Sequence, residues 1–414
     1  MFHWKSCWWR SCLILLILLI FPAIALSAHA SDRWLLEVAA GDHDRIGSPV
    51  FADLPDGLEL QGDLSLKRVD TGNIVSAQIG PGPSRRLWWI LEQRLERGEI
   101  RRYEVVESPT SNVPGRKIVS VDDDGRKLVV KFGQRRVLAY NHETVPSPDA
   151  AQPYYARSGY IHPVFTPSGQ VVTDGMPVDH THQHGVMFAW RQAEYQGREV
   201  DFWNVAAELG RVEHESIDEI VEGPVFGGFR TTLRHLELKH PSGPTAVLRE
   251  SWEVRVFALG DTFLWDLASE QRIIGDVSLI IPQFPYGGMM VRGSADWQGA
   301  NDCKFVTSLG GDRITGNHTR PRWVAMHGAA SGGPAGLVVM SHPLNFRDPQ
   351  PVRLHPSLPY FCFAPMVLGE FELTPDKPFR SQYRLLVHDG PLDRDLARSR
   401  ARDYETPLVA QVVR

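Results

Sequence analysis

The stretch Asp179-His180-Thr181-His182-Gln183-His184-Gly185 places three imidazoles and a carboxylate within seven residues. Imidazole gains and loses a proton near neutral pH, so such a group can move protons, bind hydroxyls or ligate a metal. In an extended segment side chains alternate faces, and His180, His182 and His184 would then point the same way. His180 and His184 are the expected acid–base pair, with Asp179 orienting one of them. His182, Arg157 and His162 are expected to bind ligand oxygens. Trp203 and Trp190 are candidate platforms for a sugar ring, although most aromatics are core. His327, at the end of an apolar run, could reach the same place from distant sequence. Glu213, Glu250 and Glu370 are candidate partner carboxylates, none of which stands out.

Two other uses of the cluster remain open. His180, His182 and His184, with His162 or Asp179, are ligand types suited to zinc, copper or iron, so a divalent metal is an alternative to a site with no cofactor. Histidines two apart on a straight strand are separated by about 7 Å at Cα, however, and would need a turn or a third segment to meet on one ion. The plainest alternative is a polar loop whose histidines are solvated. The sequence contains no H-E-x-x-H helix, G-x-S-x-G elbow, phosphate-binding Walker loop or dinucleotide fingerprint.

The elements that must position these residues read as strands. Aromatic residues (Trp 12, Tyr 10, Phe 18) occur with Gly 36 and Pro 30, and long 3.6-period stretches are few. That combination predicts an all-β protein. Residues 31–112 read as a small N-terminal β-sandwich of short strands, with Asp42, His43 and Asp44 in a solvated turn. A linker rich in Ser, Pro and Asn follows, and residues 115–414 read as a second, larger antiparallel domain. Asp122-Asp123-Asp124-Gly125 is a hairpin turn. Ser251–Phe257 alternates, with Trp252, Val254 and Val256 on one side and Glu253 and Arg255 on the other. Residues 391–404, with alternating Arg and Asp, predict a short helix.

The N-terminus reads as an export signal. Lys5 and Arg10 precede an apolar run from Cys12 to Leu26, and Ala28-His29-Ala30 is a cleavage pattern. Residues 1–30 are therefore expected to be a signal peptide, and the protein to be periplasmic or extracellular. No later stretch reaches the ~20 apolar residues of a spanning helix. The formal charge of -5, more negative once Lys5 and Arg10 are removed, gives no reason to expect nucleic acid as a partner. Cys303 and Cys362 remain in a compartment that permits oxidation, as a disulfide or as two buried thiols.

Arg157-Ser158-Gly159-Tyr160-Ile161-His162-Pro163, then Asp179-His180-Thr181-His182-Gln183-His184-Gly185, then Asp201-Phe202-Trp203 resemble the PmoA family, a domain of unknown function often labelled methane oxygenase. The resemblance covers roughly residues 115–390. A literal methane monooxygenase subunit is an integral membrane protein, which this chain does not resemble. The family's strand pattern is similar to galactose-mutarotase-like β-supersandwiches, which bind sugars on an open sheet. The resemblance therefore implies a supersandwich and a small-molecule or glycan substrate, handled by acid–base chemistry or bound without turnover. It assigns no residue a role.

Overall fold

The computed structural model describes residues 34–55, 64–82, 85–107, 118–299 and 301–413. The signal peptide and the linker expected from the sequence lie outside these residues. The fold is almost all β, built from antiparallel sheets. Among the described residues there is one α-helix, Arg394–Glu405. Its start is set by Asp393, whose side chain accepts hydrogen bonds from the amides of Asp395 and Leu396. Among the described residues, no helix is long and apolar enough to cross a membrane.

Among the described residues, three eight-stranded sheets and one four-stranded sheet carry the architecture. The first contains the strands between Leu35 and Glu107, bordered by two strands from the far end of the chain. Leu408–Val409 runs parallel to Ser48–Asp53, and Gln411–Val413 runs antiparallel to Leu35–Ala39. These two end strands are nearly consecutive, so the sheet is almost closed into a barrel. Its interior is filled by Leu36, Val38, Leu66, Trp89, Tyr103 and Leu408, among others.

The second sheet carries the candidate site. Its order is Val352–Leu354, Tyr360–Phe363, Gly288–Arg292, Val186–Ala189, Tyr160–Val164, Arg135–Asn141, Lys127–Phe132 and Val119–Asp123. The hairpin expected at Asp122–Gly125 joins the last two. The third sheet is larger, with strands such as Thr245–Phe257 and Phe263–Ile273. Here Trp252, Val254 and Val256 are buried and Glu253 and Arg255 are not, as the alternation predicts. One continuous apolar core, including Tyr140, Trp190, Trp252 and Phe363, joins the second and third sheets. A separate cluster packs Ala397, Ala401 and Tyr404 of the helix against Phe257, Leu264 and Leu386 of the third sheet.

Cys303 and Cys362 are buried free thiols, which leaves the unpaired reading standing. Burial pushes both thiols up to about 12. The turn at Asp42–Asp44 is not simply solvated. His43 is buried and its ring bonds Asp42 at 2.8 Å and Asp403 of the helix at 3.1 Å. The sequence hid this because Asp403 lies at the opposite end of the chain.

Candidate functional site

The histidine run is not a strand. It forms two successive turns, closed by bonds from the His180 amide to the Pro177 carbonyl at 3.1 Å and from the Gln183 amide to the His180 carbonyl at 2.8 Å. The alternation expected of an extended segment therefore does not apply. The turns bring His180 and His182 together, with ring centroids 5.5 Å apart. His184 lies deeper, fully buried, its ring 5.1 Å from that of Tyr160.

Glycines let the loop close on the sheet. Gly185 has φ +48°, and a Cβ there would lie 2.2 Å from the Ile161 carbonyl oxygen. A Cβ on Gly175 would lie 2.7 Å from the His162 ring. Both contacts are far inside van der Waals distance, so a side chain at either position would push the loop off the sheet. Gly175 and His184 pair as an isolated bridge, and the Arg292 amide bonds the Gly185 carbonyl at 2.7 Å.

Arg292 is the anchor of the loop, and sequence reasoning missed it. It ends a strand whose other residues are all buried and is itself fully buried. Its Nη2 donates to both oxygens of Asp179, at 2.9 and 3.1 Å, and its Nη1 donates to Gln183 at 2.9 Å. Partial burial pushes the Asp179 carboxyl up, but the Arg292 charge and bonds outweigh it and hold Asp179 below its usual range. Asp179 also lies 3.4 Å from His180 Nδ1, so it touches the imidazole it was expected to orient. A charged residue closing an apolar run was the available signal for Arg292.

His162 is held by Thr173. The Thr173 hydroxyl oxygen accepts from the Val164 amide at 3.0 Å and lies 3.0 Å from His162 Nδ1, leaving its own hydrogen free for the ring. Burial, then the charge of Lys127, pushes His162 down to about 4. Burial also drives His182 to about 4, assisted by His180, Arg191 and Arg292. His184 goes well below its usual value through burial, then the charges of Arg157, His182 and His162. These three rings are therefore neutral at pH 7, able to accept or donate one hydrogen bond on each side.

Arg157 is 3% exposed, and neither its Nε nor its Nη2 has a hydrogen-bond partner among the described residues. Burial lowers it to about 10 against the stabilising charge of Glu250. Of the three candidate carboxylates, Glu250 is the one in the core, where it accepts from His235, Trp252, Ser269 and Gln271. Glu213 instead pairs with Arg211 and Arg234, and Glu370 is exposed.

The other expected residues are dispersed. Trp203 is buried, 5.4 Å from the Tyr286 ring, and is part of the core. Trp190 is also buried, donating to Gln271 at 2.7 Å. Asp201 of the same motif caps the turn by accepting from the Trp203 and Asn204 amides, both at 2.9 Å, and pairs with Arg191 at 2.7 Å. His327 feels the charges of His388, Lys304 and Arg394, and none from the cluster. His355, absent from the sequence reading, does join the site: its ring lies 6.2 Å from His180 and 4.9 Å from Tyr360.

Among the described residues, no group of three or more His, Cys, Asp or Glu side chains is arranged to hold a metal ion, including His180, His182 and His184. Their rings are spread from the loop's outer turn to the buried sheet. A cavity of about 700 Å³ lies elsewhere, bounded by Ile46, Ile90, Phe132, Leu259, Leu396 and Arg400. Another of about 270 Å³ lies beside Trp88 and Arg255. Neither is lined by the histidine cluster.

No curated protein matches the chain. Among solved structures it is similar to a heparan sulfate lyase HepC mutant from Pedobacter heparinus, at 11% identity and a TM-score of 0.32 over 66% of this chain. The aligned region spans 37% of that lyase chain. The model of the Family of unknown function (DUF6807) matches residues 127–402, which takes in every residue of the cluster, and the chain belongs to that family.

Proposed function

We propose that this is an exported, PmoA-like protein whose second and third sheets form a galactose-mutarotase-like supersandwich acting on a carbohydrate or related polyol. The observation that carries the reading is the contrast between two imidazoles of one loop. His184 is enclosed beside Tyr160 and kept neutral by burial and by Arg157. His180 sits at the loop surface with Asp179 3.4 Å away. Ring opening, epimerisation and elimination each need one proton removed and another supplied. In this reading His184 accepts a proton, and His180, oriented by Asp179, supplies one. Arg157, His162 and His182 hold substrate oxygens.

The competing reading is a glycan-binding protein without turnover, in which the same rings hydrogen-bond hydroxyls only. One experiment separates them. The protein and its His184→Ala variant are incubated with a panel of mono- and oligosaccharides. Reducing ends, unsaturated products and anomeric NMR signals report hydrolysis, elimination and isomerisation, while calorimetry reports binding. Turnover that falls by about 10²–10⁴ in the variant supports acid–base catalysis. Binding without turnover in both forms favours the binding protein, and neither binding nor turnover removes the carbohydrate reading.

A further inference from the structure

Arg157 carries a hydrogen-bonding edge that no described residue satisfies. Nε–H and one Nη2–H of a guanidinium point the same way and form a fork that matches the two oxygens of a carboxylate. This molecule uses that fork repeatedly. Arg384 gives Nε and Nη2 to Asp266 at 2.7 and 2.9 Å, and Arg249 gives them to Glu215 at 3.0 and 3.1 Å. Arg198 does the same with Glu237 at 2.6 and 3.0 Å. Among the described residues, Arg157 alone has both atoms of the fork buried and unbonded.

Glu250, whose charge acts on Arg157, does not complete it. One Glu250 oxygen accepts from Trp252 at 2.7 Å, Ser269 at 2.5 Å and Gln271 at 3.1 Å, and the other accepts from His235 at 2.8 Å. Three of those donors crowd one oxygen and one takes the other, and neither oxygen is bonded by the fork of Arg157. Arg157 is thus neutralised at a distance with its fork left unbonded, an arrangement that is unfavourable unless a ligand completes it. His184 Nδ1 is likewise buried without a partner, and the charge of Arg157 reaches it. The other guanidinium groups that act on the cluster are committed to carboxylates: Arg292 to Asp179 and Arg191 to Asp201.

We propose that the Nε/Nη2 fork of Arg157, together with the unpartnered Nδ1 of His184, is a subsite for a carboxylate on the substrate, so that the site takes a sugar acid in preference to the neutral sugar. This deepens the carbohydrate reading above and rests on it for the remainder of the ligand. The carboxylate would accept two bonds from Arg157 and one from His184 Nδ1–H, satisfying all three buried donors at once.

The test compares D-glucuronate, D-glucose and acetate on the full chain at pH 7 and low salt, by calorimetry and by the NMR signals of the histidine rings. Glucuronate is expected to bind about tenfold to a hundredfold more tightly than glucose, the worth of a charge-assisted pair. Arg157→Gln should remove that difference while Arg157→Lys keeps part of it. A purely structural Arg157 would weaken both sugars alike, which overturns the proposal. Equal affinity of the two sugars for the unaltered protein overturns it as well and leaves the carbohydrate reading in place. Acetate that shifts the His184 signals while neither sugar binds upholds the carboxylate subsite and removes the carbohydrate reading. No response to any of the three defeats both. Should Arg157→Gln not fold, the glucuronate-to-glucose ratio of the unaltered protein and of Arg157→Lys still decides the outcome.

Discussion

The outer face of the third sheet and the loop on the second sheet hold the same kinds of charged residue in opposite states. On the outer face, guanidinium and carboxylate groups meet across strands: Arg249 with Glu215, Arg380 with Glu270, Arg230 with Glu219. In the loop, basic groups outnumber acids, several donors are buried and unbonded, and three imidazoles are kept neutral. A sheet face that only needs solubility can satisfy every charge locally, at low cost and with little gain. A cluster that leaves polar atoms buried and unpaired loses stability unless something else completes it, which is how binding sites differ from solvated surfaces.

The contrast can be broken most severely at Glu250. Replacing it with Ala leaves His235, Trp252, Ser269 and Gln271 without their acceptor and removes the charge that balances Arg157. Glu250→Ala should cost roughly 3–5 kcal/mol, read as a lowered denaturant midpoint. A loss below about 1 kcal/mol would mean that the buried network is not closed as described.

A drop in pH should act next, through the loop histidines together with His214, His327, His342 and His388 elsewhere, whose values burial also lowers. His162 and His182 have folded values near 4, below the value of 6.5 that the unfolded chain restores, with burial as the first cause in each. His184 and His355 are lowered as well, His355 to about 4. The unfolded chain then binds more protons in this interval, so stability is complete above about pH 6.5 and declines as the pH falls toward 4. His162 alone could account for up to roughly 3 kcal/mol. Asp179 and Glu250, whose values are lowered, hold their contribution until the pH passes below the ordinary carboxylate range, so the two windows are separable. Urea midpoints unchanged between pH 7.5 and 5 would contradict neutral buried rings.

The smallest effect belongs to the outer face. Glu215→Gln breaks the pair with Arg249 and should move stability by less than about 1 kcal/mol, and by still less in high salt. A loss comparable to that of Glu250→Ala would erase the distinction between the regions.

Much of the frame was legible in the sequence because it depends on local pattern. Alternation in Ser251–Phe257 gave the inward face, and the Asp-rich turn gave its hairpin. The expected helix at 391–404 is found at Arg394–Glu405, shifted at its start by the Asp393 cap. The histidine trio was visible from composition, but its arrangement was not. Pro177 and the turn after it replaced the extended geometry that alternation requires. Arg292 ends one strand and His355 follows another, both more than a hundred residues away, and only strand order brings them to Asp179 and His180. Trp203 looked like a platform because exposure cannot be read from residue type; the sheets buried it.

The pairing of Leu35–Ala39 with Gln411–Val413 has a temporal consequence. A ribosome releases the first of these strands long before the last, so the opening barrel waits with an unprotected edge while the rest of the chain is made. Such an edge is a template for wrong partners, and closure by Gln411–Val413 is a long-range, slow event. Gln411–Val413 therefore acts as the clasp on a sheet whose neighbouring strands come from far earlier in the sequence, and deleting those residues should injure that sheet.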